Sequence, residues 1–331
     1  MGALKAAVGL VLLFFVAVAL TLVVGVRNAG IVDVWQAFFA FDASDPTHAV
    51  IRSVRAPRLI AGLIAGAGLG MAGTVMQAVT RNPLADPGLL GVNAGAAFAV
   101  VVGALVTGYA DSGMMAALAF PGAAIASIAV FLVGGARSGA GSPVRLTLAG
   151  VAINALLLSL VSAIILSRNE TLEIFRFWVT GSLAQANARP LEAMFIALVV
   201  GAGISAVIAP RIEALALGST LARGLGTKPG AVQLSALAAI TLMTGAAVAV
   251  AGPIAFVGLV VPPLARRIGR HVLRRELVVS AILGGSMILL ADTVGRLVVA
   301  PAEIRVGIMT ALVGAPAFIF VVRRLKPGAL T

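Results

Sequence analysis

The sequence predicts an all-α polytopic membrane protein, a single transmembrane domain over residues 1–331 with about ten spanning helices. Three observations lead there. The chain is 60% hydrophobic and only 11% charged, with a mean hydropathy of +1.10, a balance no soluble domain of this length carries. Apolar runs of about 20 residues, the length that crosses a hydrocarbon core as a helix, recur from end to end. Polar breaks marked by proline, glycine or charge separate them. The 38 glycines suit close helix packing, which in lipid depends on small residues rather than on the hydrophobic effect. The chain has no cysteine, which removes disulfides, thiol chemistry and Cys-based metal sites.

The first run, 6–26, follows Lys5. It is long for the apolar part of a signal peptide, so it reads as an uncleaved span, although Ala17-Val18-Ala19 resembles a cleavage site. Residues 27–54 read as a polar loop. Span two, 57–80, is the stretch around which the chain is organised. Arg55 and Arg58 flank Pro57 at its start, and Gly62, Gly66 and Gly70 follow at four-residue spacing. In a helix these glycines share one face and leave a groove for another backbone. Arg81-Asn82-Pro83-Leu84-Ala85-Asp86-Pro87-Gly88 cannot continue the helix, so the chain turns tightly and re-enters as span three, 89–107. Span four covers 114–135 and a Gly/Ser-rich turn with Arg137 follows. Span five, 143–166, contains Asn154 and Ser159, polar residues that are candidates to line a pore. Residues 168–189 read as a loop with a short interfacial helix and Trp178 as its anchor.

Span six is 191–209. The polar segment 210–229 carries Leu215, Leu217, Leu221 and Leu225, and Gly218, Gly224 and Gly226 divide it into short helical pieces. Exposed leucines call for a covering surface, either a partner protein or lipid headgroups. Span seven, 231–250, breaks at Gly252-Pro253, and a short span eight covers 254–268. Five arginines follow between 266 and 275. Spans nine and ten are 277–299 and 304–322. Ten spans put both ends on one side. That side holds 15 of the 24 basic residues and three of the 12 acidic ones, hence the whole net charge of +12. Retained basic residues mark the cytoplasmic face, so both termini are expected there.

Chemistry is conspicuous by its sparseness. There is no phosphate loop, since Gly226-Thr227-Lys228 lacks the required frame. No His/Asp/Glu cluster for a metal or for catalysis stands out. Within the spans, Asp292 and Arg296, one turn apart near an end of span nine, are the main ionisable pair. An ion-coupled carrier would be expected to keep a carboxylate or histidine near mid-membrane. An ion-coupled carrier and a membrane enzyme are thus disfavoured, and energy is expected from a partner.

Several stretches resemble the FecCD family of ABC importer permeases for ferric siderophores, haem and cobalamin. They are residues 55–95, residues 215–226, Gly252-Pro253-Ile254-Ala255-Phe256-Val257-Gly258-Leu259-Val260-Val261-Pro262, Asp292-Thr293-Val294-Gly295-Arg296 and Gly314-Ala315-Pro316. Ser142-Pro143-Val144-Arg145, Phe175-Arg176-Phe177-Trp178 and Ile304-Arg305-Val306 make the chain most similar, within that family, to ferric-enterobactin permease subunits.

The resemblance implies the type II ABC importer permease fold and import of a ferric siderophore, with haem or cobalamin as alternatives. It implies ATPase subunits that bind ATP and magnesium, no cofactor in this chain, a second permease subunit, identical or not, and a periplasmic or lipid-anchored substrate-binding protein. Nucleic acid is not among the implied partners. Matched residue by residue, Arg55, Arg58 and Arg296 would dock the binding protein, where snorkelling at the interface is the plainer reading. Leu215, Leu217, Gly218, Leu221, Ala222, Arg223, Leu225 and Gly226 would form coupling helices on the ATPase, within segment 210–229. Asn82, Pro83 and Leu84, with Pro143 and Val144, would flank a cytoplasmic gate, although Asn82 also suits a plain turn. Two departures stand out: Pro263 where the family usually has histidine, and Ser219 where an acid is frequent.

Overall fold

The computed structural model describes residues 2–25, 29–108, 111–134 and 143–324. Its described residues form helices joined by short turns, with no strand among them. Seven helices are long and apolar enough to cross a membrane. They include α1 (Gly2–Val23), α4 (Ala56–Thr80), α6 (Ser112–Val133), α7 (Pro143–Ser167) and α9 (Leu191–Ala216). The other two are α11 (Pro229–Ala251) and α13 (Leu273–Val298). The shorter α5 (Val92–Thr107), α12 (Val257–Gly269) and α14 (Val306–Arg324) bring the bundle to about ten, as the apolar runs predict. The Gly/Ser-rich turn with Arg137 lies outside the described residues.

Helix α4 is the axis of the bundle, packed against α13, α11, α12 and α9. Its glycine face makes this possible. A Cβ built on Gly66 would stand 2.3 Å from the Gly284 carbonyl oxygen, and one on Gly284 would stand 2.1 Å from that of Gly66. The two backbones therefore touch, and the dispersion contacts of close packing replace the hydrophobic drive that lipid cannot supply. Further along the same pair, the Thr74 and Ser280 hydroxyls share a buried hydrogen bond of 2.6 Å.

After α4 the chain reverses as expected. Arg81 closes the helix in a left-handed conformation, and Asn82 and Asp86 accept hydrogen bonds from the amides of Leu84 and Gly88. These side chains do the turn's backbone work.

The structure corrects three boundaries and the place of one residue. Segment 27–54 is not a plain loop. It holds α2 (Ile31–Phe39), the single turn α3 (Pro46–Val50) and a π-turn into α4. On α2, Ile31, Val32, Trp35 and Phe39 are exposed, and Trp35 stacks on Phe39 with ring centroids 4.2 Å apart. This is an interface-seeking face. Trp178, at the end of α8 (Asn169–Trp178), is buried rather than an interface anchor. Helix α9 does not stop at 209 but continues through Pro210 to Ala216. Proline has no N–H for the Ala206 carbonyl four residues back, and the Arg274 guanidinium donates to that oxygen instead, at 2.9 Å. Helix α12 starts at Val257, not 254, after a left-handed Gly252 and Phe256. Within α12, Pro262 frees the Gly258 carbonyl in the same way, and Gln77 of α4 donates to it at 3.3 Å.

Candidate functional site

Two regions at opposite ends of the bundle gather the residues singled out by sequence. At the first, Arg55 closes the π-turn, Arg58 opens α4 and Arg296 sits in the last turn of α13. Pro57 fits the first turn of α4 because its fixed φ is already helical and its missing N–H is not needed there. The structure does bring the three arginines together, around a cavity of about 360 Å³ that Glu303 also lines. They face inward, however, each at most 7% exposed. Snorkelling at an interface does not describe them, and most of their donors are already in use.

Arg58 holds Asp292 through a two-bond fork, Nε to Oδ2 and Nη2 to Oδ1, both 2.8 Å. Its Nη1 lies 2.9 Å from Glu303 Oε2. Arg296 Nε lies 3.2 Å from Asp292 Oδ2, an ion pair without hydrogen-bond alignment, so one carboxylate faces two guanidinium groups. The remaining donors cap α1. Arg55 donates to the carbonyls of Leu22 and Val23, and Arg296 to that of Val24 at 2.6 Å and more distantly to that of Thr21. Those are carbonyls of the kind a helix end leaves without partners. The cluster thus pins the ends of α1, α4 and α13 together. Three arginines against two carboxylates leave it with one excess positive charge.

Beside it lies a larger cavity of about 750 Å³, walled by Trp178, Phe177, Arg189, Arg305 and again Glu303. Arg189 donates to Ser112 Oγ at 3.1 Å, to the Ser182 carbonyl at 2.8 Å and to the Val250 carbonyl. It thereby joins the start of α6 to the end of α11. Burial pushes its guanidinium down to about 10. Arg305 lies 4.6 Å over the Phe177 ring and donates to Thr180 Oγ1 at 2.6 Å.

At the opposite end, one short helix, α10 (Ser219–Gly224), stands where several coupling helices are expected. Leu215 belongs to α9 and is half-buried against the core. Gly218 and Gly226, both at positive φ, turn the chain at either end of α10, where a side chain would be strained. Ala222 is fully buried and seats α10 on the bundle. Leu217, Leu221 and Leu225 project outward, 63%, 63% and 68% exposed, and Arg223 is exposed beside them. Leu221 and Leu225, four apart, share one face of α10, while Leu217 lies before Gly218 at the end of α9. Behind it, Glu213 of α9 accepts from the Leu273 amide at 2.7 Å and so caps α13.

The gate candidates separate. Asn82 is exposed and occupied with its own turn, and Pro83 and Leu84 are half-buried. Pro143 and Val144 open α7, but their side chains lie outside the described residues, as does that of Ser219. Of the pore candidates, Asn154 is half-buried and donates to the Gly88 carbonyl at 3.4 Å, tethering α7 to the re-entrant turn. Ser159 is exposed and its hydroxyl bonds back to Ala155. Among the described residues, no group of three or more His, Cys, Asp or Glu could hold a metal. Sequence reasoning passed over Arg189, Gln77 and the double role of Glu303. What identifies them is the burial of Gln77 and the contacts that Arg189 and Glu303 make with residues far away in the chain, and sequence gives neither.

A model of the FecCD transport family matches residues 11–324. The chain is 43% identical to the ferric enterobactin transport system permease protein FepD of Escherichia coli (strain K12), covering 97% of this chain and 95% of that one. It is 36% identical to the hemin transport system permease protein HmuU of Yersinia pestis, over 96% of each. Among solved structures, it matches an inward-facing conformation of a transporter assigned to the metal-chelate type of ABC transporters. That match has a TM-score of 0.84 and 29% identity, and covers 97% of this chain and 99% of the other.

Proposed function

The chain belongs to the FecCD transport family, and from that premise we propose that it is the membrane-spanning permease subunit of an ATP-driven importer that moves a ferric siderophore. The observation that carries this reading is the end-to-end match to a ferric-enterobactin permease, 43% identical over 97% of the chain. The molecule's own features support it. The sequence holds no phosphate loop of its own, and the outward Leu221 and Leu225 at α10, with exposed Leu217 just before it, offer apolar surface suited to an ATPase.

On this reading, α10 receives the ATPase on the cytoplasmic side, and the arginine cluster marks the outer side where an acidic, substrate-loaded binding protein docks. Helix α4 links the two ends. It starts beside Arg58 and finishes at the Asn82-Pro83-Leu84 turn, a rise of about 37 Å at 1.5 Å per residue. A second permease subunit completes the path, with both termini in the cytoplasm of a cell whose inner or cytoplasmic membrane holds the complex. The permease itself performs no hydrolysis. It binds, orients and gates, while ATP and magnesium stay with the partner.

The test is uptake into proteoliposomes containing this permease, its ATPase and its permease partner, with a loaded binding protein outside. A ferric tris-catecholate chelate should accumulate only with ATP inside. Accumulation of hemin in its place would redirect the substrate to haem, as the similarity to HmuU allows. Accumulation without ATP would defeat the reading altogether.

A further inference from the structure

The two carboxylates on Arg58 are not alike. Asp292 lies within α13, its side chain 1% exposed, and engages Arg58 through both oxygens. Glu303 lies in the connection between α13 and α14, its side chain 34% exposed, and touches Arg58 through one oxygen at 2.9 Å. Asp292 also serves Arg296, so its departure would leave buried Arg296 without a carboxylate and Arg58 with only its single contact to Glu303. The departure of Glu303 would leave Arg58 still forked to Asp292. Glu303 also lines both cavities, so it stands as a partition between the arginine cluster and the larger chamber. On the chamber side it has a second cation in Arg305, two residues along and lining the same cavity, whose guanidinium burial pushes down and the Glu303 charge partly restores. Arg305 in turn holds the end of α8 through Phe177 and Thr180.

We propose that Glu303 is an exchangeable counter-ion, a built-in carboxylate that occupies Arg58 until an acidic side chain of the docked binding protein replaces it. This rests on the reading of the arginine cluster as the docking end. The exchange swaps like for like, one carboxylate for another on Arg58 Nη1, so no cation is left bare at any stage. Released, Glu303 turns to Arg305 and the wall between the two cavities moves. The excess positive charge of the cluster favours the incoming acid. The return of Glu303 helps it leave. The built-in competitor thereby lowers docking affinity and shortens the complex's lifetime, which suits a carrier that must release its binding protein every cycle.

The experiment is binding-protein affinity and dissociation rate on the assembled importer in nanodiscs, for wild type and Glu303→Gln, across a salt series. Removing the competitor's charge should tighten binding about two- to fivefold, the scale of one partly exposed ion pair, mainly through slower dissociation. Glu303→Asp, which keeps the charge, should stay near wild type. Wild-type affinity should fall as salt rises, because partly exposed pairs are screened over about 10 Å at 0.1 M. A wild-type affinity indifferent to salt defeats the docking reading, and this proposal with it. Salt-sensitive docking with Glu303→Gln unchanged or weaker defeats the proposal alone. Glutamine at a one-third exposed loop position is not expected to prevent folding, and an unchanged melting temperature confirms that the comparison is fair.

Discussion

Arg58 and Asp292, 234 positions apart in the chain, meet in a two-bond fork with both arms at 2.8 Å, at one end of the α4–α13 pair. The fork has the geometry in which guanidinium and carboxylate bind most specifically. Its worth is asymmetric. A buried pair adds little beyond what apolar packing would give, but breaking it strands a charge, at a cost of about 3–5 kcal/mol. Asp292→Ala strands Arg296 and leaves Arg58 only its single contact with Glu303. Its melting temperature in detergent should therefore drop far more than that of Glu303→Ala, which removes a partly exposed carboxylate worth about 1 kcal/mol or less. Equal drops would mean that the fork adds nothing that holds the helices.

Gly66 and Gly284 meet backbone to backbone, with no room for a methyl group. Gly66→Ala must push α4 away from α13, and overpacking of this kind costs about 1–3 kcal/mol or more. Gly203→Ala is the control, because a Cβ there meets nothing within 4 Å. Alanine at that site should be neutral or slightly stabilising, since it favours the helix over glycine by up to about 1 kcal/mol. The check is the thermal melt of the two variants side by side. If Gly66→Ala melts with wild type, the close approach is not a feature of the folded protein.

These two cases show what a sequence carries and what it does not. The glycine spacing and the re-entrant turn depend on residues within a turn or two of one another, and both were readable. Partners were not. Nothing near Arg58 in the chain points to Asp292, and the docking role assigned to the arginines assumed that they were exposed. The end of α9 was misplaced for a related reason. Pro210 should stop a helix, but Arg274, 64 residues further on, supplies a donor to the carbonyl that proline frees. The rule about proline is local, whereas the exception is tertiary. Amphipathic α2 is obscured in the sequence because Asp33, Asp42, Asp45 and Arg52 give the segment a polar character, although Trp35 and Phe39 fall four apart.

The outward face of α10 gives a prediction about assembly. Leu221 is 63% exposed, so Leu221→Asp costs the isolated permease little stability. Against an ATPase surface the new carboxylate would have to be desolvated without a partner, at a cost of several kcal/mol. Co-purification of the ATPase should be lost while permease yield holds. Ala222→Leu should act differently, since Ala222 is fully buried and a larger side chain would unseat α10 itself. A Leu221→Asp permease that still brings down wild-type amounts of ATPase would place the dock elsewhere.

Arg189 gives a prediction about pH. It ties Ser112, the Ser182 carbonyl and the Val250 carbonyl into one joint, and burial has already pushed its guanidinium down to about 10. Arginine tolerates this and remains charged at neutral pH. Lysine starts lower, near 10.4 in an unfolded chain, and the same burial would depress it further. Arg189→Lys should lose stability at pH 7, first through the lost donors of the fork and then through the cost of holding an ammonium in that place. The sign of the pH effect follows from where the proton sits. Between the lowered folded value and the ordinary unfolded one, the unfolded chain binds more protons than the folded chain, so stability rises with pH across that window. Below it the penalty is flat. The deficit of the variant relative to wild type, followed by thermal melts in detergent from pH 7 to 10, should therefore shrink as pH rises. A deficit that stays constant or grows would mean that the lysine reaches water and that the joint around Arg189 is not closed.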